Sequence, residues 1–320
     1  MIELLSYCSF FLTIALSYAI ICLGLNVQWG QTGLFNVGIA GFVAIGAYTS
    51  ALLTTPDDPA RFGGFALPIL VGWLGAALAA AFVSFLVGLL TVRLRADYLA
   101  IATFGVAVVV QLSALNLQPV TGGPFGIGFI PRPFASLAGE PLAFGLLNLG
   151  LVALTTLLVY LALERLLRSP WGRVLRAIRE DEQAALALGK NAFAFRLQAF
   201  AIGGAIMGLA GAVQAHFIGF IAPENYVPML TFQVWAMLIV GGSGNNLGAV
   251  AGAVIVWAVW AASAALISAV VPPEFQARAA ALQIVLIGLA ICLMLLLRPR
   301  GLLGERRTVS RHITDVTKKN

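Results

Sequence analysis

The sequence predicts an all-α polytopic membrane protein of about nine transmembrane or re-entrant helical segments, N-terminus outside and C-terminus inside. Three observations predict that class. Hydrophobic residues make up 60% of the chain and charged ones 10%, with a mean hydropathy of +0.96, far from the balance of a soluble domain. Charge-free runs cover 4–56, 62–92, 98–131, 141–163, 197–223, 225–273 and 279–297. A helix needs about 20 apolar residues to cross the hydrocarbon, so the shorter runs hold one span each and the two longest hold two. The third observation is an island of charge at 165–196, set in a chain that otherwise avoids charge.

Taken in order, the segments are 5–27, 34–53, 67–91, 98–116, 143–163, 197–220, 228–240, 247–270 and 281–297. The first lacks a basic leader and its apolar run is too long for a signal sequence, so it reads as a retained span. The seventh is too short to cross at about 1.5 Å of rise per residue, which leaves 228–252 open as a re-entrant hairpin. Alternating sides places Arg93, Arg95, the island and the tail on one face, with 16 of the 19 Lys and Arg. Such an excess marks the cytoplasmic side. The chain then divides into a transmembrane domain, 1–304, carrying the cytoplasmic loop 165–196, and a short polar tail, 305–320. The net charge of +6 sits beside spans, where it anchors the chain to lipid and does not suggest nucleic-acid binding. Cys8, Cys22 and Cys292 show no metal or pairing pattern and read as small buried apolar residues.

Glycine punctuates the apolar runs. Gly204-x3-Gly208 and Gly244-x3-Gly248-x3-Gly252 put small residues on one helical stripe, which lets backbones approach closely. Three other clusters coincide with breaks in the pattern: 26–38, 121–126 and 241–246. Irregular backbone at membrane depth is either an interfacial turn or the lining of a cavity, and interrupted segments in two halves point to a transport site. On the cavity reading, Asn26, Gln31, Asn36, Gly38, Gly122, Gly123, Gln214, His216, Gly241 and Gly242 are the candidates for a solute path. Neutral linings of this kind suit a small neutral or zwitterionic solute.

No Asp, Glu, Lys or Arg falls inside any predicted span, whereas ion-coupled transporters usually need one. His216 is the one titratable path candidate, and it reads first as a hydrogen-bonded histidine near the outer end of its span. The phosphate-loop motif is missing as well, so the expectation is no bound cofactor or metal and no enzyme activity; any ATP is hydrolysed by another chain.

The island returns as the candidate for such a partner. Ser169 is placed to cap a helix begun by Pro170. Arg176, Arg179, Glu180, Asp181 and Glu182 then precede an Ala/Leu-rich turn that Gly189 closes, with Ala184, Ala185 and Leu188 as a docking face. An anchor obeying the positive-inside rule is the plainer reading.

Glu182-x-Ala184-Ala185-x3-Gly189 resembles the cytoplasmic "EAA" coupling loop of ABC importer permeases. The wider wording, from Ser169-Pro170-Trp171-Gly172-Arg173 to Ala187-Leu188-Gly189, is similar to the branched-chain amino-acid permeases. Further matches are Gly24-Leu25-Asn26, Gly46-Ala47-Tyr48, 94–101, Thr121-Gly122-Gly123-Pro124, Gly241-Gly242 and 298–302. Asn36 and Ile39 stand where that family often has Ser and His. The resemblance implies a bacterial inner-membrane importer of two related permeases, two ATPases that use the ATP, and a periplasmic binding protein. Its solute would be a branched-chain or related small neutral amino acid, with urea or short amides as the near alternative and a stand-alone facilitator as the remote one. It further implies that the 169–189 helix takes up the motion of the ATPases, with Arg176, Arg179, Glu180, Asp181, Glu182, Ala184, Ala185 and Gly189 as its coupling residues. On the path reading, Asn36→Ile or bulk at Gly122 is expected to change solute selectivity without uncoupling the complex.

Overall fold

The computed structural model describes residues 2–59, 61–137, 139–298 and 301–305. Pro299, Arg300 and the tail from 306 onward lie outside the described residues. Regular structure among the described residues is helical, with no strand beyond one isolated bridge between Ile127 and Ile221.

The chain runs through α1 (Ile2–Leu25), α2 (Ile39–Thr54), α3 (Ile69–Thr91), α4 (Ala96–Asn116) and a single turn, α5 (Gln118–Thr121). It continues through α6 (Pro141–Arg168), two short helices α7 (Pro170–Glu180) and α8 (Glu182–Ala187), then α9 (Ala192–Ile218). Last come α10 (Pro228–Gly241), α11 (Asn246–Val270) and α12 (Gln276–Leu297). Among the described residues six helical stretches are long and apolar enough to cross a membrane: Leu5–Gly30, α3, α4, α6, α9 and Asn246–Ile267. The apolar helices α2 and α10 are shorter.

Burial sorts these helices into inner and outer ones. The apolar window of the first is 72% buried, whereas that of α11 is 11% buried and those of α4 and α6 are both 22%. The outer helices turn large apolar side chains such as Ile101, Leu158 and Leu266 outward, as lipid contact requires. Helix α9 packs between α2 and α3 because glycine removes the intervening side chains. A Cβ on Gly46 would lie 2.0 Å from the Gly208 carbonyl oxygen, and one on Gly208 would lie 2.2 Å from Ala80 Cβ. The same device joins α10 to α11, where a Cβ on Gly252 would lie 2.1 Å from Met237 O. Gly204 and Gly208 on α9 and Gly248 and Gly252 on α11 therefore form packing surfaces, whereas Gly244 lies in the corner ahead of α11 at φ +85° and does not share the helical stripe.

The structure departs from the sequence reading in several places. The second segment starts at Ile39, because 33–38 is irregular and Asn26–Gly30 forms a turn of π-helix. Helix α11 runs unbroken through residue 252, so that position ends nothing; the hairpin is α10 and α11 joined by the corner 242–245. With 14 residues, α10 is about 21 Å long, short of a roughly 30 Å hydrocarbon layer. Of the cysteines only Cys22 is buried, while Cys8 and Cys292 lie on exposed helix surfaces.

Candidate functional site

The charged island contains two short helices, α7 and α8, of which α8 is closed at both ends by caps. Ser169 occupies the N-cap position of α7, but its hydroxyl turns back and donates to Leu166 O at 2.6 Å, so it supplies no side-chain cap. Helix α7 buries Leu175 and Ile178 against the bundle. Asp181 then caps α8, its carboxylate accepting from the Ala184 N–H at 3.0 Å. Gly189 ends α8 with φ +72°, its N–H donating to Leu186 O at 2.9 Å while Lys190 N–H donates to Ala185 O at 3.1 Å. That pair is the Schellman arrangement, and glycine fits its left-handed residue without strain. Ala185 packs inward against Ile178 and Ala192, so it does not belong to the outward face; Ala184, Leu186 and Leu188 do, with Leu188 79% exposed. Glu182 binds Arg196 on α9 at 2.9 Å, and Glu180 stays in solvent 3.7 Å from Arg179.

Beside this unit, two breaks of the chain meet. Asn26 Nδ2 donates to Asn246 Oδ1 at 2.8 Å, and its Oδ1 accepts the Gly244 N–H at 2.8 Å. Gln31 Nε2 donates to Gly244 O at 2.9 Å. The π-turn after α1 is thereby stitched to the α10–α11 corner, two clusters more than 200 positions apart in the chain. Gly241 and Gly242 belong to the same corner: a Cβ on Gly241 would lie 2.0 Å from Gly248 O, and Gly242 has φ +107°. Arg179 reaches up from α7, donating to Gly30 O and to both oxygens of Glu305 at 2.9 and 2.8 Å. Arg176 Nη1 lies 3.4 Å from Leu167 O. A cavity of about 260 Å³ opens beside the joint, lined by Gln31, Glu164, Arg168, Arg176, Asn245 and Glu305 among others.

The irregular link 33–38 is satisfied by backbone at its start, where the Gly33 and Leu34 N–H groups donate to Trp29 O and Gln28 O, and by side chains beyond, as buried backbone must be. Thr103 Oγ1 accepts the Val37 N–H at 3.0 Å, Thr231 Oγ1 accepts the Ala40 N–H at 3.1 Å, and Trp235 Nε1 donates to Asn36 O at 3.0 Å. Asn36 Nδ2 donates to Gln28 Oε1 at 2.7 Å and its Oδ1 accepts the Gly38 N–H at 2.7 Å. Gln28 in turn donates to Phe200 O on α9 at 2.8 Å. Asn36 is fully buried with both amide atoms engaged. Gly38 lets Thr103 O approach to 2.6 Å of where a Cβ would stand.

Gly122, Gly123, Gln214 and His216 lie at the far end of the bundle, away from this joint. Gly122 and Gly123 take φ of +75° and +58°, and the loop beyond them pairs with 221 through Ile127 N–H to Ile221 O at 2.8 Å and its reciprocal at 2.9 Å. His216 is fully buried. Its Nδ1 faces Pro131 O at 2.7 Å and therefore carries the proton, leaving Nε2 to accept from Ser50 Oγ at 2.8 Å. Gln214 lines a separate cavity of about 220 Å³ with Tyr18, Phe220, Asn225 and Tyr226. Among the described residues no group of His, Cys, Asp or Glu could hold a metal ion.

Sequence reasoning missed the polar supports Gln28, Thr103, Thr231, Trp235 and Asn246, and the ionic ones Arg196 and Glu305. Gln28 lies inside the first glycine-rich break and could have been found there. Thr103, Thr231 and Trp235 sit singly in apolar helices with nothing to mark them.

A family model described as the permease component of the branched-chain amino acid transport system matches residues 7–295. The high-affinity branched-chain amino acid transport system permease protein LivM of Escherichia coli (strain K12) is 38% identical over 92% of this chain and 69% of its own length. LivH of Salmonella typhimurium, named as a permease protein of the same kind of system, is 25% identical over 92% of this chain and 93% of itself. The nucleoside ABC transporter permease protein NupC of Lactococcus lactis is 30% identical over 58% of this chain and 60% of itself. No solved structure matches the chain.

Proposed function

We propose that this chain, which belongs to the family of branched-chain amino acid transport permeases, is a membrane subunit of an ATP-driven importer for branched-chain or related small neutral amino acids. It pairs with a second, related permease, as the likeness to proteins named both LivM and LivH suggests, and two ATPase subunits supply the energy. A periplasmic binding protein delivers the solute to the outer face, and the chain sits in a bacterial inner membrane with its N-terminus outside.

The observation that carries this reading is the α7–α8 unit. Its second helix is capped at both ends, its outward surface is apolar at Ala184, Leu186 and Leu188, and it is tied to membrane helices by Glu182–Arg196 and by Arg179. A partner pressing on α8 moves α9 through an ion pair, and moves the end of α1 through Arg179. Two arrangements of these contacts would gate the path alternately to either side. Solute selection falls to neutral groups, with Gln214 and the outer cavity offered to an incoming molecule and Gln31 and the inner cavity to a departing one.

The test is isolation of the tagged chain from its native membrane in mild detergent, followed by reconstitution of what remains bound. The account expects two ATPase chains and a sister permease, with leucine-type solutes competing for ATP-dependent uptake. Recovery of the chain alone, still transporting without ATP, would make it a facilitator. Competition by urea or short amides only would replace the solute.

A further inference from the structure

The described C-terminal residues 301–305 do not trail from the bundle. Leu302 N–H donates to Val240 O at 2.9 Å and Leu303 N–H to Gly241 O at 2.9 Å, so the segment takes up carbonyls at the end of α10. Asn245 Nδ2 donates to Leu303 O at 3.2 Å and to Gly304 O at 3.4 Å. Gly301 lies flat on Gly242, where a Cβ would come within 2.6 Å of the Gly242 backbone. The segment is a strap across the α10–α11 corner, and Glu305 at its end holds Arg179 of α7.

We propose that this strap is a second line by which motion of α7 enters the membrane, with Arg179 and Glu305 as positioning residues of the transport step. The inference rests on the importer reading above and deepens it. Arg179 stands where two breaks of the chain and the strap converge. Its guanidinium holds the Gly30 carbonyl at the end of the π-turn and the Glu305 carboxylate at the end of the strap. The side chain of Glu305 lies against Gly244, where a Cβ would meet Glu305 Cδ at 3.1 Å. Gly244 is in turn bound to Asn26 and Gln31. A displacement of α7 therefore pulls on α1 and on the α10–α11 corner together. These are the inner ends of the two places where the helical pattern fails.

The chemistry suits a contact that opens and closes. Arg179 is 22% and Glu305 35% exposed, so the pair is held without being sealed from water. Both oxygens accept from a single nitrogen, leaving the guanidinium free to exchange partners while keeping one. Glu180, 3.7 Å away and mostly in solvent, is a ready alternative partner. A static staple would show its loss in stability and assembly. A transmitting contact would show it in solute moved per ATP.

The whole reconstituted importer separates these. Glu305→Lys is expected to lower ATP-driven uptake about tenfold, with assembly, thermal stability and basal ATPase activity close to wild type. Arg179→Glu should lower uptake as well, with some loss of stability because Gly30 O loses its donor, and the exchanged pair Arg179→Glu/Glu305→Arg should recover part of the lost uptake, short of wild type because a carboxylate cannot hold Gly30 O. The inference is overturned if Glu305→Lys transports like wild type, if its loss follows assembly alone, or if the exchanged pair is no better than either single change. A wild-type complex without ATP-dependent uptake removes the importer reading and the strap with it. Normal wild-type uptake beside an unaffected Glu305→Lys removes the strap alone.

Discussion

At the end of the bundle that carries α7 and α8, side chains join two distant breaks of the chain: Asn26 and Gln31 grip Gly244, and Arg179 grips Gly30 and Glu305. At the opposite end the loop is closed by the reciprocal backbone pairing of Ile127 with Ile221, next to the positive-φ glycines 122, 123 and 126, with His216 holding Pro131 O beside it. Side-chain amides and ion pairs can change partners within a native state. Backbone pairs seated on glycines that nothing larger can replace do not. On the proposed function, motion is taken up at the α7–α8 end and the opposite end is scaffold.

Breaking the inner joint should have the largest effect. Asn26→Leu leaves the Gly244 N–H and the Asn246 side chain without partners, each a loss of about 1–3 kcal/mol where buried. Folded yield and melting temperature in detergent should fall, and uptake should vanish from what remains folded. Wild-type uptake in this variant would show that the joint is dispensable.

Gly126→Ala attacks the scaffold instead. A Cβ there would lie 1.9 Å from Ile221 O at φ +68°, and the left-handed backbone alone costs a non-glycine residue about 1–2 kcal/mol. Protein level should drop while solute moved per ATP, measured on the surviving complexes, stays at the wild-type value. A changed ratio would bring the outer end into the moving part.

The smallest effects sharpen the comparison. Glu182→Lys breaks a partly exposed pair with Arg196, which is worth under about 1 kcal/mol to folding, yet it should sharply reduce solute-stimulated ATPase activity. Normal stimulation would move the docking site elsewhere. His216→Gln should cost about 1 kcal/mol of stability and leave the pH profile of uptake where it was. A displaced profile would make His216 a proton carrier.

The helices were legible because apolar runs of membrane length leave few alternatives, and the glycine breaks at 26–38 and 241–246 marked where helices fail. Their meeting in space was not legible, since nothing local to Asn26 signals a partner 220 positions away. Cap positions were readable but cap roles were not: Asp181 and Gly189 act as their residue types suggest, whereas Ser169 turns its hydroxyl to Leu166. Ala185 looked like its neighbour Ala184 in sequence, and only the packing of Ile178 and Ala192 decides which of them faces out. Asn36 carried the signal of a path residue because a buried amide in a membrane segment must serve something; what it serves is its own chain.

The most direct test uses one cysteine at each end of the bundle, in the assembled complex with Cys8 and Cys292 replaced by serine. Leu188→Cys on α8 and Phe125→Cys in the outer loop are both highly exposed and equally open to a short bifunctional thiol reagent. The account predicts that Leu188→Cys links to an ATPase chain and that Phe125→Cys never does. An ATPase link from Phe125→Cys, or none from Leu188→Cys while the ATPases remain bound, would contradict it.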